Sequence, residues 1–211
     1  MPPEVKRTSP GLRKELVAVT EGRIVAAGSQ LFAERGYVAT SLSAVAELAG
    51  VAPRTVYVRF GSKAKLLDRC IGTSVAGGAT EAPFEPTSKA AMTAPTLNER
   101  IDALADLSSG IMRRSGRLLA VGQQAAAIEP EIAAMERRAM SDALSHLRTF
   151  AERLAADGML PERLDVEALS DLLWAIAGPR MIVSFGIDRG WSSEQFRGWL
   201  ASTLRYVLEA V

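Results

Sequence analysis

The sequence predicts an all-α protein, in which a small three-helix head is followed by a helical bundle. Apolar residues recur at helical spacing throughout the 211 residues, whereas no segment alternates apolar and polar residues over more than a few positions. Residues that favour helix starts (Ser, Thr, Asp and Pro) or helix ends (Gly) flank most of these periodic segments. With 48% hydrophobic and 23% charged residues, the composition is that of an ordinary globular chain.

Cap and stop residues predict the helices of the head. A glycine suited to a left-handed C-terminal cap directly follows each of three periodic segments, which are residues 21–35, 42–49 and 53–60. Thr20 and Ser41 are suited to cap the first two helices, and Pro53 opens the third. A fourth helix should begin at Lys63, directly after a Ser62 cap, and connect the head to the rest of the chain.

Composition divides the chain into four parts. Residues 1–19 are expected to form a flexible N-terminal arm, and residues 20–71 a helix-turn-helix domain that includes the start of the connecting helix. Residues 72–96 are rich in Gly, Ala, Thr and Pro, which indicates the end of that helix and a linker. Residues 97–211 should form the bundle.

Five helices are predicted for the bundle. The first three are one through Leu97 and Ile111, one from Leu118 to Ile128, and a long one from Pro130 to Gly158. Asp165 should cap the next helix, which Gly178–Pro179 should kink or break. Ser192 and Gln195 have the spacing of a capping box at the start of the last helix.

Charge is unevenly distributed along the chain. Residues 1–70 contain 11 Lys and Arg against 6 Asp and Glu, whereas residues 71–211 contain 14 against 18. A basic first third joined to a mildly acidic remainder favours contact between the head and a polyanion.

Residues 42–60 fit a helix-turn-helix, because two short helices are joined there by a tight glycine-containing turn. On a wheel of about 100° per residue, Val56 and Phe60 fall together and point inward. The outward face then consists of Arg54, Thr55, Val58 and Arg59, with Tyr57 at its flank.

The residue types on this outward face suit duplex DNA, whose major groove is about 12 Å wide and accepts a helix. Arg54 can pair with guanine or a phosphate, Thr55 with a base edge, and Val58 with a thymine methyl group. Arg59 and Tyr57 are better placed for backbone phosphates.

Two lysines stand at the start of the fourth helix, where the helix dipole disfavours cations. Each of Lys63 and Lys65 should cost about 0.3–1 kcal/mol there, so neither is expected to help folding. A DNA phosphate beside this helix N-terminus would reverse the sign, and the lysines therefore support the same interpretation.

The spacing of several residues in the head is characteristic. Phe32 and Gly36–Tyr37 end one helix, and Gly50–Val51 and Phe60 follow at set intervals in the run RIVAAGSQLFAERGYVATSLSAVAELAGVAPRTVYVRFGSKAKLL. In these positions residues 23–71 resemble the DNA-binding head of the tetracycline-repressor (TetR/AcrR) family of bacterial regulators. The resemblance implies a homodimer that binds a palindromic DNA operator, commonly as a repressor, and an inducer pocket within the bundle. It implies DNA contacts by Ser41, Ser43, Arg54, Thr55, Tyr57, Arg59 and Lys63.

Large apolar residues of the bundle are candidates for the pocket of an unknown, apolar small-molecule effector, with ordinary core packing as the alternative. These candidates are Met112, Phe150, Trp174, Met181 and Phe185, with Met140 as a further apolar member. His146 and Arg180 are the candidate polar members, and solvent exposure is the alternative for His146. The resemblance also implies dimerisation through the last two helices, and the last helix is apolar on two faces, which one bundle face cannot bury. The interface candidates are Phe196, Trp199, Leu200, Thr203 and Tyr206.

Other classes of function find little support in the sequence. Phosphate-binding glycine motifs are absent, and one Cys with one His cannot form a zinc site of the usual spacing, so we expect no enzyme, metal or cofactor. The N-terminus lacks the apolar core of a signal peptide, and Gly178–Pro179 interrupts the longest apolar stretch, which favours a cytoplasmic protein without membrane contact. A protein–protein adaptor that keeps the helix-turn-helix without binding DNA remains the alternative.

Overall fold

The computed structural model describes residues 10–78 and 85–209, which fold into ten α-helices and one π-helical turn without a strand. The chain divides into two compact units, Met1–Cys70 and Ile71–Val211. This architecture confirms the predicted all-α fold with a helix-turn-helix head and a helical bundle.

The first unit contains the helices that the caps and stops predict. They are α1 (Pro10–Ala39), α2 (Leu42–Ala49), α3 (Pro53–Phe60) and the start of α4 (Lys63–Val75). Gly36 interrupts α1 as expected, with φ 75° and ψ 179°. The hydroxyl of Thr40, which is buried, donates to the Gly36 carbonyl oxygen at 2.7 Å and so closes this end of α1.

The start of α1 corrects the prediction of a flexible arm. The helix begins at Pro10 instead of Glu21, because Pro suits a first helical position and strong helix formers follow it. Thr20 is therefore not a cap, and its hydroxyl donates at 2.7 Å to the Leu16 carbonyl oxygen inside the helix. Residues 1–9 of the expected arm lie outside the described residues.

The head is held together by apolar side chains from all four helices. Those with no exposed surface are Ile24, Phe32, Val45, Ala46, Val56, Leu66 and Cys70. Their positions agree with the apolar stripes read from the sequence, so the inner face of each helix is fixed by periodicity alone.

The second unit contains the end of α4 and six further helices. They are α5 (Glu85–Thr93), α6 (Leu97–Ala126), α7 (Pro130–Ala156), α8 (Val166–Ala177), α9 (Pro179–Val183), which runs into a π-helical turn (Ser184–Asp188), and α10 (Ser193–Glu209). The caps at Asp165 and Ser192 are present, and the predicted break at Gly178 separates α8 from α9.

Two predictions for the second unit are wrong. Part of the expected linker 72–96 forms α5, which packs on α6 and α7 and buries Ala91. The two helices expected before Pro130 are one continuous helix, α6. Gly110, Gly116 and Gly122 do not break it, because none of them has the positive φ of a helix end. Gly122 leaves room for a neighbour, since a Cβ atom there would lie 2.9 Å from the Ile71 Cδ1 atom.

Charged residues fasten α6 to other parts of the bundle. Arg100 is buried, and its guanidinium donates to the Asp157 carboxylate at 2.6 Å and to the Ala94 carbonyl oxygen at 2.8 Å. Arg205 of α10 donates to the Asp102 carboxylate of α6 at 2.6 Å.

One stretch of the described chain, Val166–Asp188, is long and apolar enough by length and composition to cross a membrane. One such stretch is weak evidence for a span, because helices in the core of a folded domain pass the same test. Of its most apolar 18-residue window, 39% is buried within the structure. The break at Gly178 divides it, as the sequence predicted.

Candidate DNA-binding surface

The helix-turn-helix is built from local backbone signals. The Ser41 side chain accepts a hydrogen bond of 3.1 Å from the Ala44 N–H group and begins α2. Gly50, with φ 65° and ψ 41°, ends it in the left-handed conformation. Pro53 then opens α3 after only two intervening residues. This tight turn fixes the position of α3 relative to α2 within the first unit.

The inner and outer faces of α3 are those that the helical wheel predicts. Val56 is completely buried, whereas the side chains of Tyr57 and Val58 are 63% and 68% exposed. Arg54 is exposed at the start of the helix, and Thr55 is half-buried. An exposed aromatic ring, an exposed valine and an exposed cation on one short helix have no role in folding, which favours an external partner.

Arg59 does not extend freely from α3 into solvent. Its Nη1 atom lies 3.6 Å from the Glu21 Oε1 atom of α1, and 34% of its side-chain surface is exposed. Sequence reasoning missed this pair, because residues this far apart in the chain share no local pattern.

Lys63 corrects the expectation that its charge has no role in folding. Its ammonium donates to the Tyr37 carbonyl oxygen at 2.8 Å and lies 4.2 Å from the centre of the Tyr37 ring. These contacts fasten the start of α4 to the end of α1 and offset the unfavourable helix dipole. A phosphate contact by Lys63 stays a prediction.

The remaining candidates of the head lie at two helix starts. Ser41 and Ser43 are exposed at the start of α2. At the start of α4, the Ser62 hydroxyl accepts a hydrogen bond of 3.1 Å from the Lys65 backbone N–H group, and the Lys65 side chain is exposed. No group of three or more metal-ligating side chains occurs in the described parts of the chain.

Cys70 is not available as a nucleophile. The residue is completely buried, and its burial raises the pKa of the thiol from 9.0 to about 11. Its Sγ atom would lie 3.0 Å from a Cβ atom at Gly28, so the thiol fills close-packed space between α1 and α4.

Five of the predicted pocket residues of the bundle belong to one apolar cluster or pack against it. Met112 and Phe150 are buried in the core. Trp174 and Met181 line a cleft of about 270 Å³ that is open to solvent at the break between α8 and α9, together with Arg180. Phe185 packs against the same cluster, and its ring contacts those of Trp191 and Trp199, with 4.3 and 4.7 Å between ring centres. His146 is exposed.

The predicted interface residues of α10 also divide. Phe196 and Leu200 are completely buried in their own chain, so they cannot form a contact surface, which corrects the prediction for these two. Trp199 and Thr203 are half-buried, and Tyr206 is 79% exposed. Helical periodicity could not assign the faces of α10, because both are apolar.

Sequence reasoning also missed a junction between α4 and α6. The Ser74 hydroxyl donates to the Arg114 carbonyl oxygen at 2.8 Å, and the Ser115 hydroxyl donates to Ser74 Oγ at 3.1 Å. The Arg114 guanidinium donates back to the carbonyl oxygens of Ser74 and Val75, at 3.3 and 3.2 Å. Burial, followed by the neighbouring charge of Arg113, lowers the pKa of Arg114. The end of α4 is thus fastened to the middle of α6.

The head and the whole fold each have known counterparts. Residues 24–70 match the sequence model of the family described as bacterial regulatory proteins, tetR family. No curated protein matches the sequence at a significant level.

Three solved structures illustrate the similarity of fold. A putative transcriptional regulator from Saccharomonospora viridis in complex with choline is 20% identical, with a TM-score of 0.68 over 88% of this chain and 95% of that one. FadR from Bacillus subtilis in complex with stearoyl-CoA is 17% identical, with a TM-score of 0.70 over 90% and 98%. NalD, the secondary repressor of the MexAB-OprM multidrug efflux pump in Pseudomonas aeruginosa, is 18% identical, with a TM-score of 0.65 over 90% and 95%.

A helix-turn-helix head followed by an α-helical unit is the fold that this chain shares with these solved structures. Residues 24–70, the helix-turn-helix head, are similar to the tetR family of bacterial regulatory proteins, and the similarity of the rest of the chain is one of fold.

Proposed function

We propose that the protein is a cytoplasmic repressor that binds a palindromic DNA operator as a homodimer and is released by a small apolar ligand. The observation that carries the proposal is the outward face of α3, where Arg54, Tyr57 and Val58 are exposed beside the completely buried Val56. A helix with this face enters a major groove and presents a cation, a phenol and a methyl-bearing side chain to the duplex.

Each candidate of the head has a proposed role. Arg54 and Thr55 contact base edges, and Val58 contacts a thymine methyl group. At the operator, Ser41 and Ser43 contact phosphates or base edges. Operator phosphates are also contacted by Tyr57, Arg59 and Lys63, the last two from side chains that already have partners within the head.

The proposed dimer forms through α8 and α10. The exposed Tyr206, the half-buried Trp199 and the incompletely buried apolar stretch Val166–Asp188 support this surface. A two-fold symmetric pair would place two α3 helices about 34–36 Å apart, or a multiple of that distance. We expect a dimer by light scattering at micromolar concentration, and Tyr206→Glu should shift it towards the monomer; a monomeric unmodified chain would contradict the proposal.

The proposed ligand binds within the bundle and acts through α4. Structural relatives in complex with choline and with stearoyl-CoA support ligand binding, and the cleft beside Trp174 and Met181 is the candidate entry. The bonds of Arg114 and Ser115 to Ser74 give the bundle a direct hold on the end of α4. Typical couplings between sites are about 1–3 kcal/mol, which changes operator affinity roughly 5–150-fold.

The deciding experiment measures how the affinity for fragments of the source genome depends on salt. A protein that neutralises several phosphates loses affinity steeply as salt rises, whereas the adaptor alternative requires a slope near zero. Arg54→Ala should lower affinity for the selected operator by about 1–3 kcal/mol. Arg138→Ala, which removes an exposed arginine from α7, is the matched control and should leave affinity unchanged.

A further inference from the structure

One cation of the proposed recognition helix is already paired within the chain. The Arg59 Nη1 atom lies 3.6 Å from the Glu21 Oε1 atom, and the two side chains are 34% and 26% exposed. Arg59 belongs to the last turn of α3, whereas Glu21 belongs to the supporting helix α1. The pair therefore ties the two helices together at a place that solvent, or a partner, can still reach.

Glu21 lies on the part of α1 that supports the helix-turn-helix. Two residues further along, the Arg23 Nη2 atom donates a hydrogen bond of 3.5 Å to the Gly50 carbonyl oxygen in the turn. This stretch of α1 thus contacts both the turn before α3 and the last turn of α3. A carboxylate at that place opposes DNA phosphates, so it lowers the attraction of the head for any duplex.

We propose that Glu21 is a specificity-determining residue, which holds the Arg59 guanidinium and withholds its charge from duplexes of arbitrary sequence. This inference rests on the proposed binding of DNA by α3. Non-specific affinity arises from phosphate neutralisation and the release of counterions. A guanidinium paired with a carboxylate has little net charge to contribute, whereas the base contacts of Arg54 and Val58 do not use that charge. The ratio of specific to non-specific affinity therefore rises.

The test measures binding of the full chain to a short duplex of arbitrary sequence at increasing salt. Glu21→Gln removes the charge and keeps the side-chain length. Arg59 then neutralises one further phosphate, so the slope of log affinity against log salt becomes about 0.9 steeper. Between 50 and 200 mM salt, this slope corresponds to an additional loss of affinity of about 3.5-fold.

Two controls isolate the pair. Glu34→Gln removes the same charge from the same helix, where Glu34 accepts a hydrogen bond of 3.0 Å from Gln30, and it should leave the slope unchanged. In an Arg59→Gln background, Glu21→Gln should also leave the slope unchanged, because no guanidinium is released.

A slope for Glu21→Gln equal to that of Glu34→Gln, or a steepening that persists without Arg59, would overturn the inference and leave the regulator intact. A slope near zero for the unmodified chain would overturn the proposed DNA binding itself, and this inference with it. If circular dichroism shows that Glu21→Gln does not fold, the salt slope of the Arg59→Gln single variant is compared with that of the unmodified chain instead. The inference then expects a slope within about 0.3 of the unmodified value, and a decrease of about 0.9 overturns it.

Discussion

Replacing Gly50 with alanine tests whether the turn before α3 limits the stability of the first unit. Gly50 has φ 65°, a left-handed conformation that costs a residue with a Cβ atom about 1–2 kcal/mol. Alanine also lowers the conformational entropy of the unfolded chain, which stabilises the folded state by roughly 0.4–1 kcal/mol. A Cβ atom would lie 2.6 Å from the Arg23 Nη2 atom, so the flexible end of Arg23 must move. We expect a net destabilisation of about 1 kcal/mol.

Gly22→Ala is the matched control. Gly22 lies inside α1, and a Cβ atom there would meet no atom within 4 Å. Alanine is favoured over glycine inside a helix by about 1 kcal/mol, so this variant should be more stable than the unmodified protein. The two Gly→Ala substitutions should therefore change the free energy of unfolding in opposite directions, so that the two variants differ by about 2 kcal/mol.

Urea denaturation separates the two units by their chromophores. All three tryptophans, Trp174, Trp191 and Trp199, belong to the second unit, so tryptophan fluorescence reports on the bundle. Circular dichroism reports on all helices. Gly50→Ala should lower the circular-dichroism midpoint more than the fluorescence midpoint, and it should weaken operator binding because α3 is displaced from its place in the head.

The outcome that refutes this reasoning is a Gly50→Ala variant as stable as Gly22→Ala. Such a result would mean that the turn relaxes to a conformation which alanine adopts without strain. The left-handed conformation at Gly50 would then not be what fixes the position of α3.

Two further predictions concern buried polar groups. Arg100→Ala should destabilise the protein by about 1–2 kcal/mol in urea denaturation, because it removes the buried donor to the Ala94 carbonyl oxygen and to the Asp157 carboxylate, which is 44% exposed. Arg148→Ala, which breaks an exposed pair with Glu152, should cost under about 0.5 kcal/mol, and equal costs for the two variants would contradict the role of the Arg100 contacts. The neutral Cys70 thiol, with its pKa raised from 9.0 to about 11, stabilises the fold fully below pH 9 and loses that contribution as the pH rises through 11. Over this range the unmodified chain should lose up to about 2–3 kcal/mol more stability than Cys70→Ala, and parallel pH profiles would rule this out.

Signals within a few residues of one another could be read from the sequence. The caps at Ser41, Asp165 and Ser192 and the breaks at Gly36 and Gly178 all involve neighbouring backbone groups, and each is present. One such signal was overlooked, because Thr96 and Glu99 form a capping box at the start of α6. The outward face of α3 was equally local, since helical periodicity alone separates Val56 from Val58.

The tertiary structure decided which distant residues meet. Glu21 with Arg59, Tyr37 with Lys63, and Arg100 with Asp157 pair across long stretches of chain, and no periodicity or spacing relates them. Packing also decided that α5 forms, because a helix this short is marginal by itself and is stabilised where Ala91 and Met92 pack against neighbouring helices. Local sequence thus determines where helices begin, end and turn their apolar faces, whereas the partner of each charge depends on the three-dimensional arrangement of those helices.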